Sequence, residues 1–332
     1  MTASPTTTPP NIRWGIVGCG DVCEIKSGPG FQKAVGSQLV AVMRRDAAKA
    51  EDFARRHGVP KWHATAEALI HDPEVDAVYI ATPPGSHHNL ALQVARAGKP
   101  CYVEKPMART YAECVEMVGA FASVQRPLFV AYYRRCLPRF VTLKTILDEQ
   151  RLGPLVSINY HLTNGAYLGL DPAQLPWRLR PEESGGGLLW DLGSHLIDLL
   201  DHVFGPLKNF AGNSRNVSGK LDFADQTDLT FTTSQGVAGT GHWNFASEDH
   251  RDLLEVVGER GRVEASCFGN EPLKLEIDGQ IEFLDRPNPE HVHQPLIQTM
   301  VNELRGEAGA CPSPGVAAAR ASRIIDLIGQ AS

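Results

Sequence analysis

Ile12-Arg13-Trp14-Gly15-Ile16-Val17-Gly18-Cys19-Gly20-Asp21-Val22-Cys23 is the stretch that decides the fold. A short apolar run ends in G-x-G, and a small side chain follows at Cys23. Glycines so placed let a strand turn sharply into a helix whose first amides face a pyrophosphate. One glycine pair is weak evidence, so the weight falls on what comes next. Strand-like runs at 38–43, 75–81, 101–104 and 128–131 alternate with helix-like runs at 47–57, 65–70, 86–97 and 111–123. That rhythm predicts an α/β unit over 11–131: a Rossmann doubly wound parallel sheet. Gly18, Gly20, Asp21 and Val22 are its candidate cofactor contacts.

Three places inside this unit bear on a ligand. Lys26-Ser27-Gly28-Pro29-Gly30 should break the first crossover helix and leave a loop close to the cofactor. After the second strand, Arg44-Arg45 stands where an acidic residue would bind the adenosine ribose hydroxyls of NAD. Two guanidinium groups there favour a 2′-phosphate, hence NADP, with NAD as the alternative. The bland reading leaves both arginines solvated while Asp46 caps the next helix. Finally, Thr82-Pro83-Pro84-Gly85-Ser86-His87 and Glu104-Lys105-Pro106 follow the ends of strands, where open parallel sheets bind ligands. Thr82, Pro83, His87, Glu104 and Lys105 are therefore candidate cofactor residues, and Lys105 could also polarise a substrate oxygen.

Beyond Ala131 the alternation stops. A helix runs from the Tyr132-Tyr133-Arg134-Arg135 segment to about residue 149. Strand-like runs follow at 155–162, 207–217, 228–233, 237–245, 251–257, 262–265 and 273–277. Mostly sequential strands predict an α+β domain over 132–332, a large open mixed or antiparallel sheet. Helices at 185–204, 293–305 and 315–329 would cover one face. Within the first of these, Asp191, His195 and Asp198 fall at i, i+4 and i+7 on one face, beside a stripe of Leu188, Leu192, Leu196 and Leu199. A carboxylate and an imidazole turned to a cleft suit a proton shuttle. A packed core histidine, or a surface pair, is the competing explanation.

Composition excludes several classes. The 32 basic residues are scattered and outnumbered by 38 acidic ones, which argues against nucleic acid or an acidic membrane surface as partner. No apolar run approaches the roughly 20 residues of a membrane span. Residues 1–10 read as a disordered tail without the features of a signal peptide, so a cytoplasmic protein is expected. Seven spread cysteines without a CxxC pair read as reduced thiols, with no metal site.

Taken together the chain resembles the Gfo/Idh/MocA oxidoreductase family. The resemblance rests on Gly18 and Gly20, Thr82-Pro83 with His87, Glu104-Lys105-Pro106, Tyr133-Arg134-Arg135, Trp177-Arg178, and Gly185-Gly186-Gly187 with Asp191 and His195. It implies an NAD(P)-dependent enzyme acting on a secondary hydroxyl or ketone of a sugar, cyclitol or related polyol. It further implies that Lys105, Asp191 and His195 are catalytic: His195 exchanges the proton, Asp191 tunes or orients it, and Lys105 holds the reacting oxygen. Arg135, Trp177 and Arg178 become candidates for substrate or structural contacts. A homodimer or homotetramer through the open face of the C-terminal sheet is also implied. The loop at 163–183, with few charges, suits an uncharged sugar better than a phosphorylated one. Two other functions share these motifs: an NAD-dependent glycosidase that oxidises its sugar transiently, and a cofactor-binding regulator that has lost catalysis. The joint presence of Lys105, Asp191 and His195 argues against the regulator. The Arg44-Arg45 pair departs from the acidic residue common in the family.

Overall fold

The computed structural model describes residues 10–165, 167–171, 174–307 and 309–329; all but the last residue of the expected tail lies outside them. The first half is a six-stranded parallel sheet in the order β3-β2-β1-β4-β5-β6. Its strands are β1 (Ile12–Val17), β2 (Ser37–Met43), β3 (Lys61–His63), β4 (Ala77–Ile80), β5 (Cys101–Val103) and β6 (Leu128–Val130). All four residues of β4 are buried, as befits a strand covered on both faces. Only β3 escaped the sequence reading; it is three residues long, Lys-Trp-His, and carries no apolar pattern. The order reverses between β1 and β4. The glycine turn and the loops after β4 and β5 therefore share one end of the sheet, where a crevice forms.

The break in the first crossover is real, but it is not a loop. Helix α1 (Asp21–Ile25) stops at Lys26, and α2 (Gly28–Lys33) starts two residues later with Pro29 in its first turn. A proline there forfeits no helical hydrogen bond, so it starts a helix instead of ending one. A side chain at Gly28 would collide with the Cys23 carbonyl, which explains the glycine. Helices α3 (Ala47–His57), α4 (Ala66–Ile70), α5 (His87–Arg96) and α6 (Tyr111–Ser123) complete the unit.

After α7 (Pro138–Asp148) comes an eight-stranded sheet in the order β14-β13-β12-β11-β7-β10-β9-β8. These are β7 (Leu155–Thr163), β8 (Lys208–Arg215), β9 (Gln226–Thr232), β10 (Ala238–Asn244), β11 (Arg251–Gly258), β12 (Gly261–Ala265), β13 (Leu273–Ile277) and β14 (Gln280–Leu284). β7 and β10 pair parallel and every other pairing is antiparallel, so the sheet is mixed. The edge strand β14 was not anticipated. Its signal was present: Asp278 and Gly279 both have positive φ, the conformation that makes Asp-Gly a two-residue hairpin turn.

The helical cover differs from expectation at two points. Of the later helices α8 (Pro181–Ser184), α9 (Ser194–Phe204), α10 (Gln294–Leu304) and α11 (Gly315–Gly329), α9 and α11 pack on each other, and α11 also lies on β8 and β9. α10 instead packs on α2 of the first half, where Gly30 admits the Ile297 side chain. The chain also rejoins β6: Val130 N donates to the Ser313 carbonyl at 3.0 Å, and Ser313 Oγ donates to the Val130 carbonyl at 2.8 Å. The expected single helix at 185–204 is a glycine turn, then a π-helical segment (Leu189–Gly193), then α9. Gly185 (φ +95°) and Gly187 (φ +78°) lie outside helical space, and a side chain at Gly186 would strike the Trp190 ring.

Candidate active site

A cavity of about 1260 Å³ runs from the glycine turn to α9. At its sheet end, Gly18 (φ +90°) packs so closely on Thr82 and the Ala81 carbonyl that no side chain fits. Gly20 is different. Its backbone is extended, and a Cβ there would meet nothing nearer than the Gly18 carbonyl oxygen at 3.9 Å. Packing and strain therefore do not require glycine at 20, and the space over its backbone opens on the cavity. Asp21, Val22, Thr82, Pro83 and Glu104 line the same cavity.

Arg44 and Arg45 both line it too. Arg44 Nη1 lies 3.4 Å from the Cys19 carbonyl oxygen, and neither guanidinium has a carboxylate partner among the described residues. Asp46 is occupied as the cap of α3, accepting from Lys49 N at 3.3 Å. His87, expected beside the cofactor, is instead buried behind the loops. Its ring nitrogens lie 2.7 Å from the Thr82 carbonyl oxygen and 3.0 Å from that of Pro106, so it joins the loops after β4 and β5.

The other end holds the Lys-Asp-His group. Lys105 Nζ donates to Asp191 Oδ1 at 2.5 Å and to the Asp191 carbonyl oxygen at 2.8 Å. The second carboxylate oxygen faces Arg178 Nε at 3.5 Å. Burial pushes the Asp191 carboxyl up, but the Lys105 ammonium, its hydrogen bond and Arg178 together hold it below the usual carboxylate range. His195 lines the cavity and is 4% exposed, with the edges of Tyr132, Tyr133 and Phe268 around its ring. Burial, then the positive charges of Arg134, Lys105 and Lys26, push its pKa well below the ordinary histidine value, so it is neutral at pH 7. Its Nδ1 is buried without a hydrogen-bond partner, so no neighbour sets the tautomer. The Asp191 carboxylate makes no hydrogen bond to His195; it orients Lys105.

Two expectations on this helix need correction. Asp198, three residues beyond His195, is rotated about 60° around the axis and faces the interior. There it meets Arg135, whose Nε and Nη2 donate to the carboxylate at 2.8 and 2.6 Å. Arg135 is therefore a buried structural partner and does not reach the cavity; its neighbour Arg134 does. Leu192, expected in the anchoring stripe, is half-buried and lines the cavity, whereas Leu188, Leu196 and Leu199 are buried. Trp177 and Arg178 lie in the cavity wall, the guanidinium 4.4 Å from the ring centroid.

Residues that the sequence did not single out as site residues also line the cavity, chiefly Lys26, Arg134 and His293. Lys26 sits at the helix break that the Gly-Pro-Gly run announced. His293 is contributed by the segment before α10, and nothing local marks it. Its Nδ1 lies 3.1 Å from the Tyr102 hydroxyl and its Nε2 3.8 Å from Glu104 Oε1. Burial and the same three cations press its pKa down to about 3. Glu104 accepts from the Tyr79 hydroxyl at 2.5 Å, and burial raises its carboxyl.

A parallel sheet with a glycine turn at its switch point, sharing one cavity with a Lys-Asp-His group, defines the class as a nicotinamide-dependent oxidoreductase. The chain belongs to the GFO/IDH/MocA family: residues 12–132 match the oxidoreductase family's NAD-binding Rossmann fold, and 140–264 match the GFO/IDH/MocA C-terminal domain. It is 40% identical to oxidoreductase P35 of Formosa agariphila, over 87% of this chain and 90% of the relative. It is 33% identical to the trans-1,2-dihydrobenzene-1,2-diol dehydrogenase of Sus scrofa, over 83% and 81%. Among solved structures, a levoglucosan dehydrogenase in complex with NADH and levoglucosan superposes with a TM-score of 0.84 at 20% identity, covering 96% of each chain. The protein is an NAD(P)-dependent oxidoreductase of this family. Among the described residues no helix is long and apolar enough to cross a membrane.

Proposed function

We propose that the protein moves hydride between NADP(H) and the secondary hydroxyl or ketone carbon of a sugar, cyclitol or related polyol. The observation that carries this reading is Lys105, held by the side chain and backbone of Asp191 beside a neutral His195, in the cavity that begins at Arg44 and Arg45. The open side-chain position at Gly20 and the two arginines without carboxylate partners fit a dinucleotide with a 2′-phosphate. A bound nicotinamide supplies the hydride acceptor or donor.

The chain supplies the rest. Gly18 and Gly20 let the backbone approach the pyrophosphate, while Arg44 and Arg45 bind the 2′-phosphate. Two of the three Lys105 N–H donors are committed to Asp191, which limits the ammonium's motion and leaves the third for the substrate oxygen. His195, neutral at pH 7, takes the hydroxyl proton in oxidation and returns it in reduction. Trp177 and Arg178 form the wall on the substrate side. The relatives named for sugar-like diols and sugars support this class of substrate. Val156, Ile281 and Phe283, exposed on the C-terminal sheet, support self-association through that sheet into a homodimer or homotetramer. The free cysteines accord with work in the cytoplasm.

Titration of NADPH and NADH against wild type, Arg44→Ala and Arg45→Ala tests the reading. Loss of a charge-assisted bond of about 1.5–3 kcal/mol weakens NADPH by roughly 10- to 150-fold per arginine and spares NADH. Equal binding of both cofactors by the wild type would refute NADP preference. A Lys105→Ala protein that retained full turnover of sugars would refute the role of Lys105.

A further inference from the structure

We propose that the substrate is a carboxylate, a sugar acid or related polyhydroxy acid, and that Arg134 binds its carboxyl group. This rests on the oxidoreductase reading above and narrows it. Arg134 is 7% exposed and lines the cavity beside His195. Its Cζ lies 4.4 Å from the Phe268 ring centroid and 5.2 Å from that of Tyr133, so the guanidinium sits in an aromatic slot. Nε donates to the Cys267 carbonyl at 3.0 Å and Nη1 to the Tyr133 hydroxyl at 3.3 Å. Nη2 has no hydrogen-bond partner and the group has no carboxylate partner among the described residues.

That arrangement is costly unless a ligand completes it. A buried cation without a counter-charge is destabilising, and the other buried arginines of the chain avoid the problem differently. Arg135 is paired with Asp198, while Arg139, away from the cavity, is turned to the carbonyls of Ser266 and Gly269. Only in Arg134 does the free edge belong to the cavity wall, and the slot holds its plane so that the fork is set before a ligand arrives.

The surrounding charge points the same way. Lys26, Lys105 and Arg134 are the chief charges acting on His195 and on His293. Of the nearby carboxylates, Asp191 is committed to Lys105, burial biases Glu104 toward neutrality, and Asp252, behind the aromatic slot, is occupied in accepting from Ser266 Oγ and Phe268 N. The charges that press on the two histidines are positive. A substrate carboxylate on Arg134 offsets them and relieves the pressure on His195, making it a better base when substrate is bound. The wall around Arg134 is aromatic, and a planar carboxylate matches its guanidinium edge. The weakly charged loop at 163–183 supplies neither Lys26 nor Arg134, which come from other parts of the chain.

The test uses the enzyme with saturating NADP+ and matched sets: a hexose, its uronate, its aldonate, the amide of the uronate, and the hexose 6-phosphate. The wild type is expected to favour an acid over its neutral parent and its amide by about 30-fold or more in kcat/KM, mainly through KM. In Arg134→Met that acid-to-neutral ratio falls by about 30-fold, toward parity, and Arg134→Lys restores part of it. Should Arg134→Met fail to fold, the acid-to-amide ratio of the wild type still decides. A neutral sugar, amide or sugar phosphate used as well as the acid overturns the proposal and leaves the oxidoreductase reading standing, as does a ratio unchanged in Arg134→Met. Turnover of none of these compounds refutes the sugar-substrate reading itself.

Discussion

Replacing Arg135 by methionine should unfold the protein more readily while leaving substrate recognition in place. The Arg135 and Asp198 side chains are 3% and 1% exposed and joined by two hydrogen bonds, and Arg135 Nη1 also donates to the Pro312 carbonyl at 2.5 Å. Removing the guanidinium strands the Asp198 carboxylate in the interior close to a second buried carboxylate, Asp201, whose charge it feels. Breaking one partner of such a pair costs about 3–5 kcal/mol. At about 2–4 °C per kcal/mol, Tm falls by roughly 6–20 °C. The double variant Arg135→Met, Asp198→Leu removes both charges and should recover most of the loss, since an apolar pair of similar volume replaces the ion pair. Thermal and urea unfolding of the two single variants and the double variant, with KM measured in parallel, tests this. An unchanged Tm with a raised KM in Arg135→Met would refute the structural assignment and return Arg135 to the substrate site.

Further outcomes follow from the same geometry. Gly20→Ala should weaken cofactor binding at least about 10-fold with little change in Tm, because the added methyl occupies ligand space. Gly18→Ala should lower Tm itself, since that residue combines a φ of +90° with contact against Thr82; fluorescence titration and thermal melts separate the two. Asp191→Asn removes the carboxylate charge that holds Lys105, leaving the backbone carbonyl contact, and should reduce kcat by about 100-fold while NADPH still binds, a loss on the scale of a displaced acid–base group; an unaltered kcat argues against the pinning role. His195 and His293 have folded pKa values below the unfolded value, so the unfolded state takes protons first as acidity rises. Each costs about 1.4 kcal/mol of stability per pH unit below about pH 6.5, until its folded pKa is reached. Urea unfolding at pH 7 and pH 5 reads this, and equal midpoints would contradict it.

The sequence by itself determined whatever depends on near neighbours along the chain. Glycine spacing and the strand-helix rhythm specify the parallel sheet, because each element needs only its own periodicity to declare itself. The Lys105, Asp191 and His195 group was visible because each lies in a local pattern: after a strand, or on a periodic helix. Even the unanticipated β14 was announced by Asp278-Gly279. The tertiary structure alone decided which of two adjacent arginines meets the cavity. Arg134 and Arg135 are chemically alike, and only the positions of Asp198 on one side and Phe268 on the other assign them opposite roles. It decided likewise that Asp191 serves Lys105 and not His195, that His87 joins loops, and that His293 arrives from 188 positions past Lys105. Partners in those cases are set by the crossing of distant segments, and a side chain's direction in space is not written in the spacing of its neighbours.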